Sequence, residues 1–420
     1  MRWICFFSIF FLLISPVQVS AFEIAEKDKL LLEKIEKDSL QYFIRSSHKT
    51  TGLTKDSSRS GSPASIAATG FSLAVLAIAQ SRGWIAQDYA AQRIRLTLKT
   101  LLSKAEHKNG FFYHFLDSAT GRRVWGSEAS SIDTALLVAG ALTAGEYFPG
   151  TDIQEMAKKI YERVDWEWML NKSLLICMGW TPETGFLPYY WDSYNELIIL
   201  QALALGSPTH PIPEKAWNEW LRNEDEYKNR KVIYSHSGSL FTYQFAQAFI
   251  DFRNLNDRGV NYFENSKQAT LANREYSLEF RGQHKSYFEN SWGLSASLGP
   301  GGYKAYGGKP GEGLQDGTIA PYAAISSIPF TPEESLAAVR FFYENYEKNL
   351  YGIFGFKDAF NLDKAWFAEE YIGIDQGITV LMLENFLNQE AVWKKFMGLE
   401  PVIDWIKICG LMKEVAIPAS

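Results

Sequence analysis

A six-fold alternation constrains this chain more than any other feature of its sequence. A charged, amphipathic stretch is followed by an apolar stretch of small residues that opens on a polar or acidic cluster, and the pair recurs six times. The second members are 65–71 (Ser-Ile-Ala-Ala-Thr-Gly-Phe), Glu128 to Leu137, Trp191 to Leu200, Ser239 to Ile250, Asp316 to Ser327 and Tyr371 to Leu383. Each is apolar nearly all round, which predicts a helix buried on every side, with its few polar residues at the amino-terminal end. The first members are Ala25 to Arg45, Gln87 to Ala105, Asp152 to Leu170, Pro213 to Leu221, Val260 to Phe280 and Pro332 to Tyr346. They carry charge on one face and apolar residues on the other, as outer helices do. In the last of them Thr331-Pro332-Glu333-Glu334 reads as cap, first helical position and acidic first turn.

Strict alternation of twelve helices predicts an all-α (α/α)6 toroid, an inner ring of helices wrapped by an outer ring of opposite direction. Connections from outer to inner helix are long and rich in glycine and aromatic residues, whereas the return connections are short. The walls of a site are therefore expected at the long-loop end. Gly110 to Phe115 with Arg122 to Trp125 reads as a hairpin leading into Glu128, and Gly352 to Phe356 as a second short extended piece.

Residues 1–21 read as a signal peptide. Arg2 precedes an apolar run from Ile4 to Ser15, shorter than a membrane span, and Val19-Ser20-Ala21 is a small-residue cleavage site. A periplasmic or secreted protein is expected, with no stable membrane insertion once the leader is removed. Residues 22–420 hold no Pro/Ser-rich linker or low-complexity tract and read as one domain. Removing the leader takes away only Arg2 and brings the net charge from −6 to −7, which argues against a nucleic-acid partner. Cys177 and Cys409 could form at most one bridge. The six histidines, at 48, 107, 114, 210, 236 and 284, show no metal-ligand spacing, and there is no phosphate-cradling glycine loop or Gly-x-Ser-x-Gly elbow. Neither a metal nor a cofactor is expected.

Trp, Tyr and Phe make up 15% of the chain. Flat rings set among carboxylates and amides suit a pyranose, whose C–H face stacks on an aromatic ring while its hydroxyls take polar partners. Trp180, Tyr189, Trp191, Tyr194 and Asn195 form such a cluster just before Glu196, which the pattern puts five residues into an apolar helix. Desolvation there raises the pKa of a carboxyl and keeps it protonated, as a general acid requires. Glu289, beside Asn290 and Trp292 in a glycine-rich stretch, is the candidate base or nucleophile of a glycosidase pair. Glu128 and Asp133 fall at the start of a buried helix, where Asp133 can orient a sugar hydroxyl or a water. Asp316, Asp375 and Gln376 lie at further inner-helix starts, Asp56 and Arg59 in a loop, and His210 just after an inner helix. Glu196 and Glu289 are expected to face each other across one ring-lined hollow.

The order of these motifs, from 65–71 through 110–115, 131–135, 178–180, 194–196, 207–211, 289–293 and 316–318 to 371–377, resembles the bacterial glucoamylase-like family. That family includes endo-β-1,2-glucanases and is similar to the glycosyl-transfer region of cyclic β-1,2-glucan synthases. The resemblance spans about residues 30 to 398. It implies an (α/α)6 barrel and hydrolysis of a β-linked glucan, β-1,2-glucan first among them, with Glu196 at the position of the general acid. Two other readings are open at this point. A polysaccharide lyase would want a basic cavity with a Tyr or His base, and a catalytically silent glycan-binding envelope protein would bind oligosaccharide without cleaving it.

Overall fold

The computed structural model describes residues 22–413, so the expected signal peptide lies outside the described residues. Thirteen α-helices are present among them. In chain order they are α1 (Glu26–Ser46), α2 (Ile66–Ser81), α3 (Gln87–Ser103), α4 (Ser131–Tyr147), α5 (Asp152–Glu162), α6 (Leu197–Leu205) and α7 (Phe241–Gln244). They continue with α8 (Tyr262–Glu279), α9 (Pro321–Ser326), α10 (Pro332–Leu350), α11 (Gly373–Leu387), α12 (Ala391–Met397) and α13 (Glu400–Ile408). The strands between them are short, the longest being Glu224–Tyr227 and Arg230–Ile233.

The apolar helices are buried as their composition demands. Every residue of α2 from Ile66 to Ala79, and every residue of α6, is buried. α2 packs on α4, α4 on α6, α9 on α11, and α11 back on α2. Gln244 of α7 donates from Nε2 to Ala323 O at 2.8 Å and Ser327 Oγ at 2.9 Å, which ties α7 to α9. The amphipathic helices lie outside: α1 against α11 and α2, α3 against α2, α5 against α4, α8 against α7, and α10 against α9. The closest approach is between α2 and α4. A Cβ on Gly140 would stand 1.9 Å from Gly70 O, so only glycine lets these two backbones meet.

Serines cap two of the buried helices in the same way. Ser65 Oγ accepts from Ala68 N at the start of α2, and Ser130 Oγ from Asp133 N at the start of α4. At α10, Pro332 takes the first helical position with Glu333 and Glu334 in the first turn, as the sequence predicts. Thr331 does not cap, however, because its hydroxyl is paired with Ser335 Oγ at 3.1 Å.

Other differences from the sequence reading have plain causes. The stretch 213–221 yields only a 3-10 turn, Glu214–Asn218. Three prolines at 208, 211 and 213 remove backbone donors there. The wall beside α6 is supplied instead by α13 from the end of the chain, whose Trp405 packs edge-on against Trp217 at 5.6 Å. The stretch 239–250 breaks into α7 and a 3-10 turn at Ala246–Ala248, and the helix within 316–327 begins only at Pro321. Cys177 and Cys409 are both free. No helix among the described residues is long and apolar enough to cross a membrane.

Turns at one end are short, residues 82–86 between α2 and α3 and 148–151 between α4 and α5. The opposite connections, residues 104–130 and 163–196, carry the strands. The expected 110–125 hairpin forms, Val124 N donating to Phe115 O at 3.1 Å and Asp117 N to Arg122 O at 2.7 Å, and backbone pairs also join neighbouring loops. Ala64–Ser65, just before α2, pairs with Phe115–Leu116. Ala129–Ser130, just before α4, pairs with Gly179–Thr181, which pairs in turn with Gly185–Phe186. Gly373 N donates to Asp56 O at 2.6 Å and joins the start of α11 to the first loop. Each buried helix is thus entered through a strand or loop stitched to another, and their starts are held in register around one hollow.

Candidate active site

That hollow is a cavity of about 600 Å³. The loop 56–62, His114 and Phe115, Trp125, the first turns of α4, Glu196, the start of α7, the hairpin residues Leu298 and Tyr303, and the segment 370–374 line it. Its apolar floor is Ala67, Leu136, Phe241 and Phe245, and its ionisable groups are Asp56, Asp133, Glu196 and Glu370 with His114 and Arg59.

Glu196 is buried and is the residue immediately before α6. The expectation of five helical residues before it fails because Asn195 spends its side chain as a local cap, Oδ1 accepting from Leu197 N at 2.7 Å. A helix amino terminus stabilises a carboxylate, yet burial wins. Burial and the nearby charge of Asp133 push the Glu196 carboxyl up to about 7, against the pull of its own backbone amide. The group therefore keeps its proton near neutrality and opens onto the cavity.

Asp133, in the first turn of α4, accepts from Ser130 Oγ and faces His114 Nε2 at 3.6 Å. Glu128 takes the other imidazole nitrogen, Nδ1, at 3.1 Å. Burial disfavours charge on this imidazole, but the attraction of Asp133, the hydrogen bond and charge of Glu128, and Asp56 outweigh it and lift His114 to about 9. The donor atoms of His114, Glu128 and Asp133 lie within 4.8 Å of one another, close enough to surround a cation. An imidazolium paired through both nitrogens already supplies that positive charge. Asp56 is lifted to about 6 by burial, eased by His114 and reinforced by Asp133. Its carboxyl lines the cavity.

Of the residues singled out from the sequence, Glu196, Asp133 and Arg59 line this cavity, and Glu128 stands behind His114. Arg59 is at the rim, 3.8 Å from Glu370. Asp375 is fully buried with Asp358, and burial together with that neighbour raises its carboxyl far above the ordinary range. Gln376 donates from Nε2 to Phe356 O at 3.0 Å and is structural.

The pairing of Glu196 with Glu289 is corrected. Glu289 and Asn290 sit on an exposed turn beside outer helix α8, where Arg274 Nε bonds Glu289 O at 3.1 Å, and neither lines the cavity. Trp292 is fully buried, so no sugar reaches its ring. Trp191 is buried with Nε1 on Ser131 Oγ at 2.9 Å, and Tyr194 stacks on Tyr262 at 5.7 Å in the core. Trp180 packs on Trp168 at 6.0 Å, and Tyr189 is 63% exposed outside the cavity lining. Asp316 is held by Lys304 and Tyr306, each at 3.0 Å. His210 follows α6 at the short-turn end, opposite the cavity. These rings and acids are of the right type for sugar binding, but core packing claimed most of them.

His114, Trp125, Tyr303 and Glu370 are cavity residues the sequence did not single out as site residues, and Asp56 was noted only as a loop acid beside Arg59. A signal existed for two of them. His114 and Trp125 fall in the two arms of the expected hairpin before Glu128.

A helical fold in two shells, with a carboxyl-rich cavity at the starts of its buried helices, defines a glucoamylase-like class of protein. The chain belongs to that family: residues 188–400, just over half of it, match the family model described as "Glycoamylase: Putative glucoamylase". A Bacteroides uniformis protein of the same description, solved by crystallography, is similar over 94% of this chain and 99% of its own, with a TM-score of 0.87 and 31% identity. An endo-β-1,2-glucanase from Chitinophaga pinensis, solved with sophorotriose and glucose, matches over 92% of this chain and 98% of its own, with a TM-score of 0.86 and 27% identity. Among curated proteins, an exo β-1,2-glucooligosaccharide sophorohydrolase acting at the non-reducing end, from Parabacteroides distasonis, is 28% identical over 90% of this chain. The chain spans 58% of the length of that relative.

Proposed function

We propose that this protein is a glycoside hydrolase that cleaves β-1,2-linked glucan, with Glu196 as the proton donor to the departing glycosidic oxygen. The observation that carries the reading is a buried carboxyl, raised to about 7 by burial, that opens onto the same cavity as the Asp56 carboxyl. Asp56, raised to about 6, takes the second role expected of Glu289 and accepts a proton from the attacking water. Asp133 is fixed by Ser130 and the His114 imidazolium, and it orients water or a sugar hydroxyl. The excess of acids over bases in the cavity does not suit a lyase acting on uronates.

The linkage rests on the similarity to the Chitinophaga glucanase and the Parabacteroides sophorohydrolase. The same reading takes the two shells as an (α/α)6 toroid, residues 22–420 as one domain, and the protein as exported by its amino-terminal leader. Incubating the purified protein with β-1,2-, β-1,3-, β-1,4- and α-1,4-glucans, followed by chromatography of the products, tests it. Shortened oligosaccharides from β-1,2-glucan alone are expected, and release from another glucan but not from this one overturns the substrate assignment.

A further inference from the structure

Trp125 is the most exposed of the large apolar side chains described, at 70%, and it lines the cavity. Its backbone lies in the left-handed region with φ of 58°, a conformation that a bulky residue rarely adopts. Among the described ring contacts Trp125 meets Phe115, tilted, at 5.1 Å between ring centres.

The loop is nonetheless held firmly. Arg123, itself mostly buried, bonds both oxygens of Glu183 at 2.6 and 2.9 Å and donates from Nη2 to Gly126 O at 2.6 Å. A two-pronged Arg–carboxylate pair fixes direction as well as distance. Inward from Trp125 the contacts are continuous. Phe115 stacks on His114 at 3.9 Å, and His114 pairs with Asp133 and Glu128. An exposed indole on a braced loop at the mouth, connected by ring contacts to the ionised centre, is a platform prepared for a ligand with an apolar face.

Resting on the hydrolase reading above, we propose that Trp125 is a specificity-determining residue. Its indole stacks on the C–H face of a glucosyl unit beyond the two that flank the cleaved bond, so it sets the preference for longer chains. Its contribution is absent from a disaccharide and present in an oligosaccharide long enough to reach it.

Calorimetric titration of the Glu196→Gln protein with β-1,2-gluco-oligosaccharides of two to six units, with and without Trp125→Ala or Trp125→Phe, tests this. The ratio of six-unit to two-unit affinity is expected to fall about tenfold in Trp125→Ala and to recover mostly in Trp125→Phe. An unchanged ratio in Trp125→Ala, or no recovery with Phe, overturns the proposal. Turnover of the same oligosaccharides by the wild-type protein separates the two readings. Turnover with a ratio indifferent to Trp125 removes the platform and leaves the hydrolase. Trp125-dependent binding without turnover removes the hydrolase and leaves the platform.

Discussion

Two buried glutamates at opposite ends of the molecule have the same electrostatic history and different prospects. Glu196 stands before α6 at the long-loop end, and Glu36 on α1 packs beside Arg82 and Glu384 near the short turns. Burial is the largest cause of the raised pKa in both. Glu36, though, is sealed. Neither of its oxygens has a hydrogen-bond partner, and Arg82 is 3.9 Å away, already bonded to Glu384 at 2.9 Å and Glu33 at 3.2 Å. Three carboxyls around one guanidinium leave Glu36 neutral and cut off from any substrate. A raised pKa therefore does not mark a catalytic acid by itself, and the opening onto a cavity with a second carboxylate is what separates the two sites.

The comparison can be broken most sharply at Glu196. Glu196→Gln is expected to lower kcat by about 10²- to 10⁴-fold, the usual contribution of a positioned general acid, while oligosaccharide binding persists. Activity near wild type in that variant ends the assignment. Next in size is His114→Gln, for which a loss of roughly 10²-fold in kcat/KM is expected from removal of one fixed charge in the cavity. Because the His114 charge holds Asp56 down, the same change should also move the acid limb of the pH profile upward. The wild-type profile of kcat/KM is expected to be a narrow bell, rising through about 6 as Asp56 ionises and falling through about 7 as Glu196 loses its proton.

Glu36→Gln probes the sealed end, with kcat within about twofold of wild type, as expected of a site remote from the chemistry. Its effect is on stability. The folded protein holds the Glu36 proton more tightly than the unfolded chain does, so stability is complete below the unfolded value near 4.5 and falls as pH rises above it. Arg82 opposes that loss, while Glu384, Glu33 and Tyr147 face the same group and do not relieve it. The gap in denaturant stability favouring Glu36→Gln should therefore widen with pH, to about 1–3 kcal/mol in mildly alkaline buffer. The smallest change is expected for Glu289→Gln, with activity and stability both near wild type, the latter within about 0.5 kcal/mol. A large loss of activity there would restore the pairing that the geometry removes.

Glu196 and Asp133 were legible because each is an acid at the polar start of an apolar helix, although Asp375 carries the same pattern and is sealed beside Asp358 instead. Glu289, Trp191 and Trp292 were misread for one shared reason. A Gly- and aromatic-rich segment looks the same whether its rings face a ligand or the core, and Trp292 fills the core completely. Asp56, His114 and Trp125 belong to the site through pairing between loops far apart in the chain, such as Ala64–Ser65 with Phe115–Leu116.

By itself the sequence determined the alternation of buried and half-buried helices, the end of the molecule where the walls are built, and the family, because burial periodicity and motif order are local properties. Which acid stands opposite Glu196, which tryptophan meets solvent, and which of two buried glutamates opens onto a cavity were decided only by tertiary structure. These depend on where loops from separate helical pairs meet. Side-chain accessibility, which sets both pKa and contact with a substrate, is a property of that meeting and not of any one segment.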